Sequence, residues 1–185
     1  MDVQETEIPG VVLIRPQIFA DARGFFLETF DADYGPTLGG ARFMQDMHAR
    51  SSLGVLRGLH YRVARPQGQL VTLLRGAAFD VVADLRRGSP TFGRWIGETL
   101  SEDGVRQIYM PPGCAHGYLT LSDWCDLHYK VTESYDGADA RSLRWDDPDI
   151  AIDWPLDGLE PTISDKDAAA PFLADLDDKQ LPRLG

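Results

Sequence analysis

Turns centred on glycine and proline divide this chain into short apolar runs. Nowhere before Ser164 does a segment carry the 3.6-residue periodicity with which a helix buries one face. Runs rich in β-branched and aromatic residues are then expected as strands at 11–14, 24–30, 41–47, within 51–69, and at 70–75, 78–85, 94–100, 106–110, 117–121 and 125–131. The breaks between them are explicit: Gly76, Arg87-Gly88-Ser89-Pro90, Asp103-Gly104 and Pro111-Pro112-Gly113. About ten short strands without intervening helices exclude a parallel α/β sheet and lead to an all-β antiparallel sandwich or jelly roll. The single helical expectation lies near the end, where Ser164 is placed to cap a turn over 165–170 before Pro171 stops it.

A chain of 185 residues is expected to form one domain, with a core over about 10–171 and a loosely held acidic tail at 174–185. The balance of 18 basic against 29 acidic residues, −11 in all, argues against nucleic acid or an anionic membrane as the main partner. A few arginines gathered in a pocket would still hold a phosphorylated ligand. The opening MDVQETEIPGVV has neither a basic leader nor a long apolar core, so no signal peptide is expected, and no apolar run approaches membrane-spanning length. Cys114 and Cys125 form no CxxC pair and are expected as reduced thiols of a cytoplasmic protein.

Chemistry concentrates in 51–69, where Arg57, His60 and Tyr61 sit among Val55, Leu56 and Leu59 between Gly54, Gly58 and Gly68. Arginine and histidine in a buried strand are costly unless they are paired or used. A hydrogen-bonded core histidine with an arginine at the rim is one reading of these residues, and a reactive pocket is the other. Strict alternation sends Arg57 and His60 to opposite faces, so a shared pocket requires a bulge near Gly58. In 125–131 the same alternation points Tyr129 inward with Cys125, Leu127 and Val131, and leaves His128 facing solvent. His116, expected at a turn after Pro111-Pro112-Gly113-Cys114-Ala115, would reach the same interior. No His-x-His pair exists, which disfavours a metal site. A base (His60), a phenol (Tyr129), a fixed cation (Arg57) and a second imidazole (His116) suit removal and return of a proton beside a carbonyl, with no cofactor. Nucleophilic hydrolysis fits poorly, because no Gly-x-Ser-x-Gly elbow is present.

Taken together, several motifs resemble the dTDP-4-dehydrorhamnose 3,5-epimerase family. They are Arg23-Gly24-Phe25-Phe26-Leu27-Glu28, Arg57-Gly58-Leu59-His60-Tyr61, Gln67-Gly68, Phe79-Asp80-Val81, Arg86-Arg87-Gly88-Ser89-Pro90-Thr91-Phe92-Gly93, Pro111-Pro112-Gly113-Cys114-Ala115-His116-Gly117, Tyr129-Lys130, Trp145-Asp146-Asp147-Pro148 and Ser164-Asp165-Lys166-Asp167. The resemblance implies a cupin-type jelly roll, a homodimer with strands exchanged between subunits, and metal-free action on a nucleotide-linked 4-keto-6-deoxy sugar. It further implies that His60 removes the protons at C3 and C5, that Asp167 orients and charges it, and that Tyr129 returns a proton from the opposite face. Arg57 would steady the enolate, with His116 beside the substrate. Arg23 and Glu28 would bind the nucleotide from the neighbouring subunit, Tyr135 would stack on the base, and Gln45 and Lys166 match further contact positions.

Four departures fall in the implied substrate region. Gln69 stands where the family usually has lysine, Met47 where asparagine is usual and Ala140 where a contacting glutamate is often found, and the loop from His60 to Gln69 is one residue shorter. A glutamine donates a hydrogen bond without charge, and charge-assisted bonds are about twice as strong. The expectation is therefore epimerisation at C3 and C5 of a dTDP-4-keto-6-deoxyhexose. The alternatives are another nucleotide-linked keto sugar, inversion at a single carbon, or a non-catalytic sugar-nucleotide-binding cupin.

Overall fold

The computed structural model describes residues 1–35 and 37–184, apart from the side chain of Asp33. In chain order the strands are β1 (Asp2–Glu5), β2 (Val12–Arg15), β3 (Ile18–Asp21), β4 (Gly24–Leu27), β5 (Gln45–Ser52), β6 (Leu56–Arg62) and β7 (Gln69–Arg75). They continue as β8 (Ala77–Asp84), β9 (Trp95–Ser101), β10 (Gln107–Met110), β11 (Cys114–Thr120), β12 (Trp124–Val131) and β13 (Ala140–Ser142), followed by one short helix, α1 (Asp165–Ala168). One sheet has the order β1-β2-β10-β7-β12-β5, the other β13-β6-β11-β8-β9, and β3 with β4 forms a separate hairpin. The strand pairs within both sheets are antiparallel, and the architecture is the expected cupin-type jelly roll.

Alternation along the strands explains three separate apolar layers. Val71 and Leu73 of β7, Leu127 and Tyr129 of β12, Val82 of β8 and Tyr118 of β11 meet between the sheets. The opposite faces of β6, β8 and β11, with Leu59, Val81, Ala83 and Leu119, are covered by the chain from Leu143 onward, which contributes Ile150 and Trp154. The outer face of β2, β7 and β10 is covered by Tyr34 and Leu38. The tail carries Leu176 and Leu181 into the second of these layers, and it exchanges backbone bonds with Arg87 through Pro182 and Leu184.

Local differences from the sequence expectations have identifiable causes. The strand expected at 41–47 runs over Gln45–Ser52, because its polar outward residues Asp46, His48 and Arg50 pair with β12 side chains rather than marking a loop. β11 begins at Cys114, which puts His116 inside a buried strand instead of at a turn. β1 and β13 carry little apolar pattern and are held by backbone pairing at sheet edges, and the apolar but exposed β3 pairs with β4 in the hairpin. His128 is not simply solvent-facing: its side chain is 24 % exposed and its Nε2 lies 3.8 Å from Asp46 Oδ2. Ser164 caps α1 as expected, its Oγ accepting the Asp167 N–H at 3.1 Å.

Candidate active site

A close crossing of two glycines builds the site. From His116 to Tyr118, two steps along β11 face three along β6, from His60 to Arg57, so β6 carries one extra residue. Gly58 sits at φ +117°, and a Cβ there would lie 2.6 Å from Gly117 Cα and 2.7 Å from the His116 carbonyl oxygen. Only glycine fits. The bulge turns Arg57 and His60 to the same inner face, where both line a cavity of about 410 Å³ opening between the sheets.

His60 Nε2 lies 2.7 Å from Asp167 Oδ1, with the imidazole 46 % exposed and the carboxylate 4 %. The Asp167 carboxylate also receives the Gly58 N–H and the Ser142 hydroxyl, each at 3.4 Å. Burial alone would raise the Asp167 pKa, but hydrogen bonding and attraction to His60, with help from the Gly58 N–H, outweigh it and hold the pKa below its ordinary value. An ionised carboxylate can only accept, so Nε2 carries the proton and Nδ1 keeps the lone pair. Such an imidazole is oriented for proton abstraction, and the carboxylate stabilises the imidazolium that abstraction forms.

Tyr129 comes from the facing sheet and is buried. Burial, then the proximity of Tyr118 and Asp80, pushes its phenol well above the ordinary tyrosine value, so it stays protonated as a donor. His116 is buried beside it, its Nε2 2.9 Å from Asp80 Oδ2 and its ring edge-on to Tyr129 at 5.8 Å. Arg57 donates from Nε to Ser51 Oγ at 3.1 Å. At the mouth, Tyr135 is exposed and donates its N–H to Gln45 Oε1 at 2.8 Å. Lys166 and Gln69 line the same cavity. Among the described residues no three His, Cys, Asp or Glu side chains come together in a way that could hold a metal ion.

The model of the dTDP-4-dehydrorhamnose 3,5-epimerase family matches residues 5–175. The chain belongs to this family. A dTDP-4-dehydrorhamnose 3,5-epimerase of Pseudomonas aeruginosa is 44 % identical over 179 residues, which are 96 % of this chain and 98 % of that protein. A crystal structure of a dTDP-6-deoxy-D-glucose-3,5-epimerase from Legionella pneumophila, in complex with dTDP-4-keto-L-rhamnose, is 46 % identical and superposes with a TM-score of 0.96 over 100 % of this chain and 98 % of that one. A 3′-monoepimerase from Streptomyces bikiniensis, in complex with dTDP-quinovose, is 35 % identical with a TM-score of 0.90, covering 96 % of this chain and 91 % of that one.

Within this epimerase the structure gathers His60, Asp167, Tyr129, Arg57, His116, Gln69, Tyr135 and Lys166 in or against one cavity, and Gln45 touches it through Tyr135. It does not bring Arg23 or Glu28 there. Arg23 stands at the tip of the β3–β4 hairpin, 90 % exposed and paired with Asp21 at 2.6 Å, and Glu28 is exposed just beyond β4. Met47 and Ala140, two of the departures, do line the cavity.

Several contributors escaped the sequence reading. Arg62 reaches 5.6 Å from the Tyr135 ring and donates to the Ser134 carbonyl at 2.7 Å, so it braces the mouth from below. Asp139 accepts the backbone N–H groups of Val63, Ala64 and Arg65 at 3.3, 2.9 and 2.9 Å and fixes the shortened loop after β6. Asp80 had a readable signal, since a carboxylate inside the apolar strand β8 must be paired or used. Ser51 had none, because one of two adjacent serines ahead of Gly54 looks like a surface turn. No helix among the described residues is long and apolar enough to cross a membrane.

Proposed function

We propose that this epimerase binds a dTDP-linked 4-keto-6-deoxyhexose in its cavity and inverts the sugar at C3 and C5. The 4-keto group makes both flanking C–H bonds acidic. His60, oriented by Asp167, removes the proton, and the carboxylate stabilises the imidazolium that forms; the enolate oxygen is steadied by Arg57; and Tyr129 delivers a proton to the opposite face of the ring. His116 lies beside the sugar. Tyr135 offers an aromatic face to the nucleobase, with Gln45, Lys166 and Gln69 as further contacts. The observation that carries this reading is the 2.7 Å His60–Asp167 pair, whose His60 lines one cavity with the buried, protonated Tyr129 of the facing sheet.

Arg23 and Glu28 take part, in this reading, as residues supplied by a second copy of the chain. The β3–β4 hairpin that carries Arg23 exposes Ile18, Phe19, Phe25 and Phe26, an apolar surface suited to burial in a homodimer. Inversion at a single carbon is the second reading. It is favoured by Gln69, Met47 and Ala140 in the cavity wall and by the likeness to the Streptomyces monoepimerase. Incubation with dTDP-4-keto-6-deoxyglucose and NMR of the product decides between them. Altered ring-proton couplings at both C3 and C5 support double inversion, a change at one carbon supports the second reading, and an unchanged sugar contradicts both.

A further inference from the structure

One cation in the cavity wall has no counter-charge. Arg62 is 8 % exposed and lines the cavity with His60, Gln69 and Lys166. It follows His60 by two residues on β6, so the two share a face about 7 Å apart along the strand. Its Nη1 donates to the Ser134 carbonyl oxygen at 2.7 Å, and among the described residues no carboxylate pairs with it. The acids of the adjoining loop are engaged elsewhere. Asp136 accepts from Arg65 Nη2 at 2.9 Å and from the Ala138 N–H at 3.0 Å, while Asp139 holds the backbone after β6. Directly opposite Arg62 on β13 stands Ala140, at the spacing of about 5 Å where an acidic side chain would neutralise the guanidinium. A charge this deeply buried is costly unless something is bound against it.

Resting on the proposed seating of the sugar at His60 and the base at Tyr135, we propose that Arg62 is a substrate-binding residue that grips the diphosphate between them. Ala140, by leaving Arg62 without a cross-strand partner, keeps its charge for that anion. The placement follows the ligand's own order. Arg62 stands between His60 on its strand and the Tyr135 ring, whose centroid is 5.6 Å from the guanidinium. A guanidinium is a planar fork of donors that matches two phosphate oxygens at once, and only Nη1 is taken up by the Ser134 carbonyl. The cation also enters a wall where Gln69 offers only a neutral amide. A purely structural Arg62 would instead act through Tyr135, by bracing the ring that receives the base.

The test is the affinity of the full chain for dTDP, read by NMR titration of the thymine methyl signal. Arg62→Gln is expected to weaken binding about tenfold or more, the scale of a lost hydrogen bond to a charged group. The same substitution in a Tyr135→Ala background is expected to cost a similar factor. Unchanged binding by Arg62→Gln overturns the proposal, and so does a loss that vanishes once Tyr135 is gone, which is the signature of a brace. Ala140→Glu supplies the missing partner and is expected to weaken dTDP about fivefold or more, with the loss shrinking in the Arg62→Gln background. Should Arg62→Gln fail to fold, Ala140→Glu alone decides, and unchanged or tighter binding by it overturns the proposal. A parent chain that does not bind dTDP contradicts the seating of the nucleotide as well; a parent that binds it as tightly as Arg62→Gln removes Arg62 alone.

Discussion

His60 was legible as a reactive candidate because a histidine in an apolar strand must be paired or used, but its partner was not. Asp167 lies 107 residues downstream, and only the fold brings it to 2.7 Å. Its assignment from sequence came from family resemblance, with no local pattern behind it. The pair makes a definite expectation: Asp167→Asn should lower proton exchange by about a hundredfold or more, since a neutral amide neither stabilises the imidazolium that abstraction forms nor fixes the imidazole's tautomer. The check is the exchange rate at C3 in deuterium oxide, with the circular dichroism spectrum unchanged. At Tyr129 the signal was alternation alone, and burial of the phenol agrees with it. Tyr129→Phe should depress inversion more than label wash-in, because abstraction by His60 continues without the acid. Equal loss of the two would remove Tyr129 from that role.

At the scale of elements, strand existence followed from turn chemistry, while register did not. The sequence required a bulge near Gly58 if Arg57 and His60 were to share a pocket, and the β6–β11 register supplies it. What it could not contain was the cause: Gly117, on another strand, passes so close that a Cβ on it would lie 2.9 Å from the Arg57 carbonyl oxygen. Gly58→Ala should therefore cost about 3 kcal/mol, combining a left-handed backbone with a backbone clash. It should also impair exchange, because Arg57 and His60 lose their common face. Urea unfolding measures the first effect and the deuterium assay the second. A Gly58→Ala protein of normal stability and activity would contradict the bulge as the builder of the site. The edge strands β1 and β13 were missed because they owe their place to hydrogen bonding with β2 and β6 rather than to apolar pattern.

Across the whole molecule, composition excluded some partners and said little about assembly. The Arg86-Arg87-Gly88-Ser89-Pro90-Thr91 run proves to be a buried knot in which Asp84 accepts from the Arg86 guanidinium at 2.8 Å, from Ser89 at 2.6 Å and from Thr91 at 2.7 Å, while Arg86 also reaches the Pro9 carbonyl at 3.0 Å. Burial would raise the Asp84 pKa, but these bonds lower it from 3.8 to about 2. A depressed carboxylate pKa contributes stability that is present above the unfolded value and lost as pH falls toward the folded one. The contribution is about 2 kcal/mol. Asp84→Asn should thus unfold at lower urea than the parent at pH 6, and the gap should narrow as pH falls below 4 toward 2; a gap that stays constant would contradict the sign.

The exposed hairpin makes a second expectation at this scale. In the homodimer proposed above, Phe25→Ser with Phe26→Ser should shift sedimentation from dimer to monomer; a parent chain that sediments as a monomer would contradict the dimer, and an unchanged sedimentation coefficient would remove the hairpin from the interface. The most direct test of the central claim is deuterium incorporation from solvent into dTDP-4-keto-6-deoxyglucose, with the parent chain and with His60→Asn. The account predicts label at C3 and C5 with the parent and none above background with a folded His60→Asn protein; label entering at the parental rate with His60→Asn would contradict it.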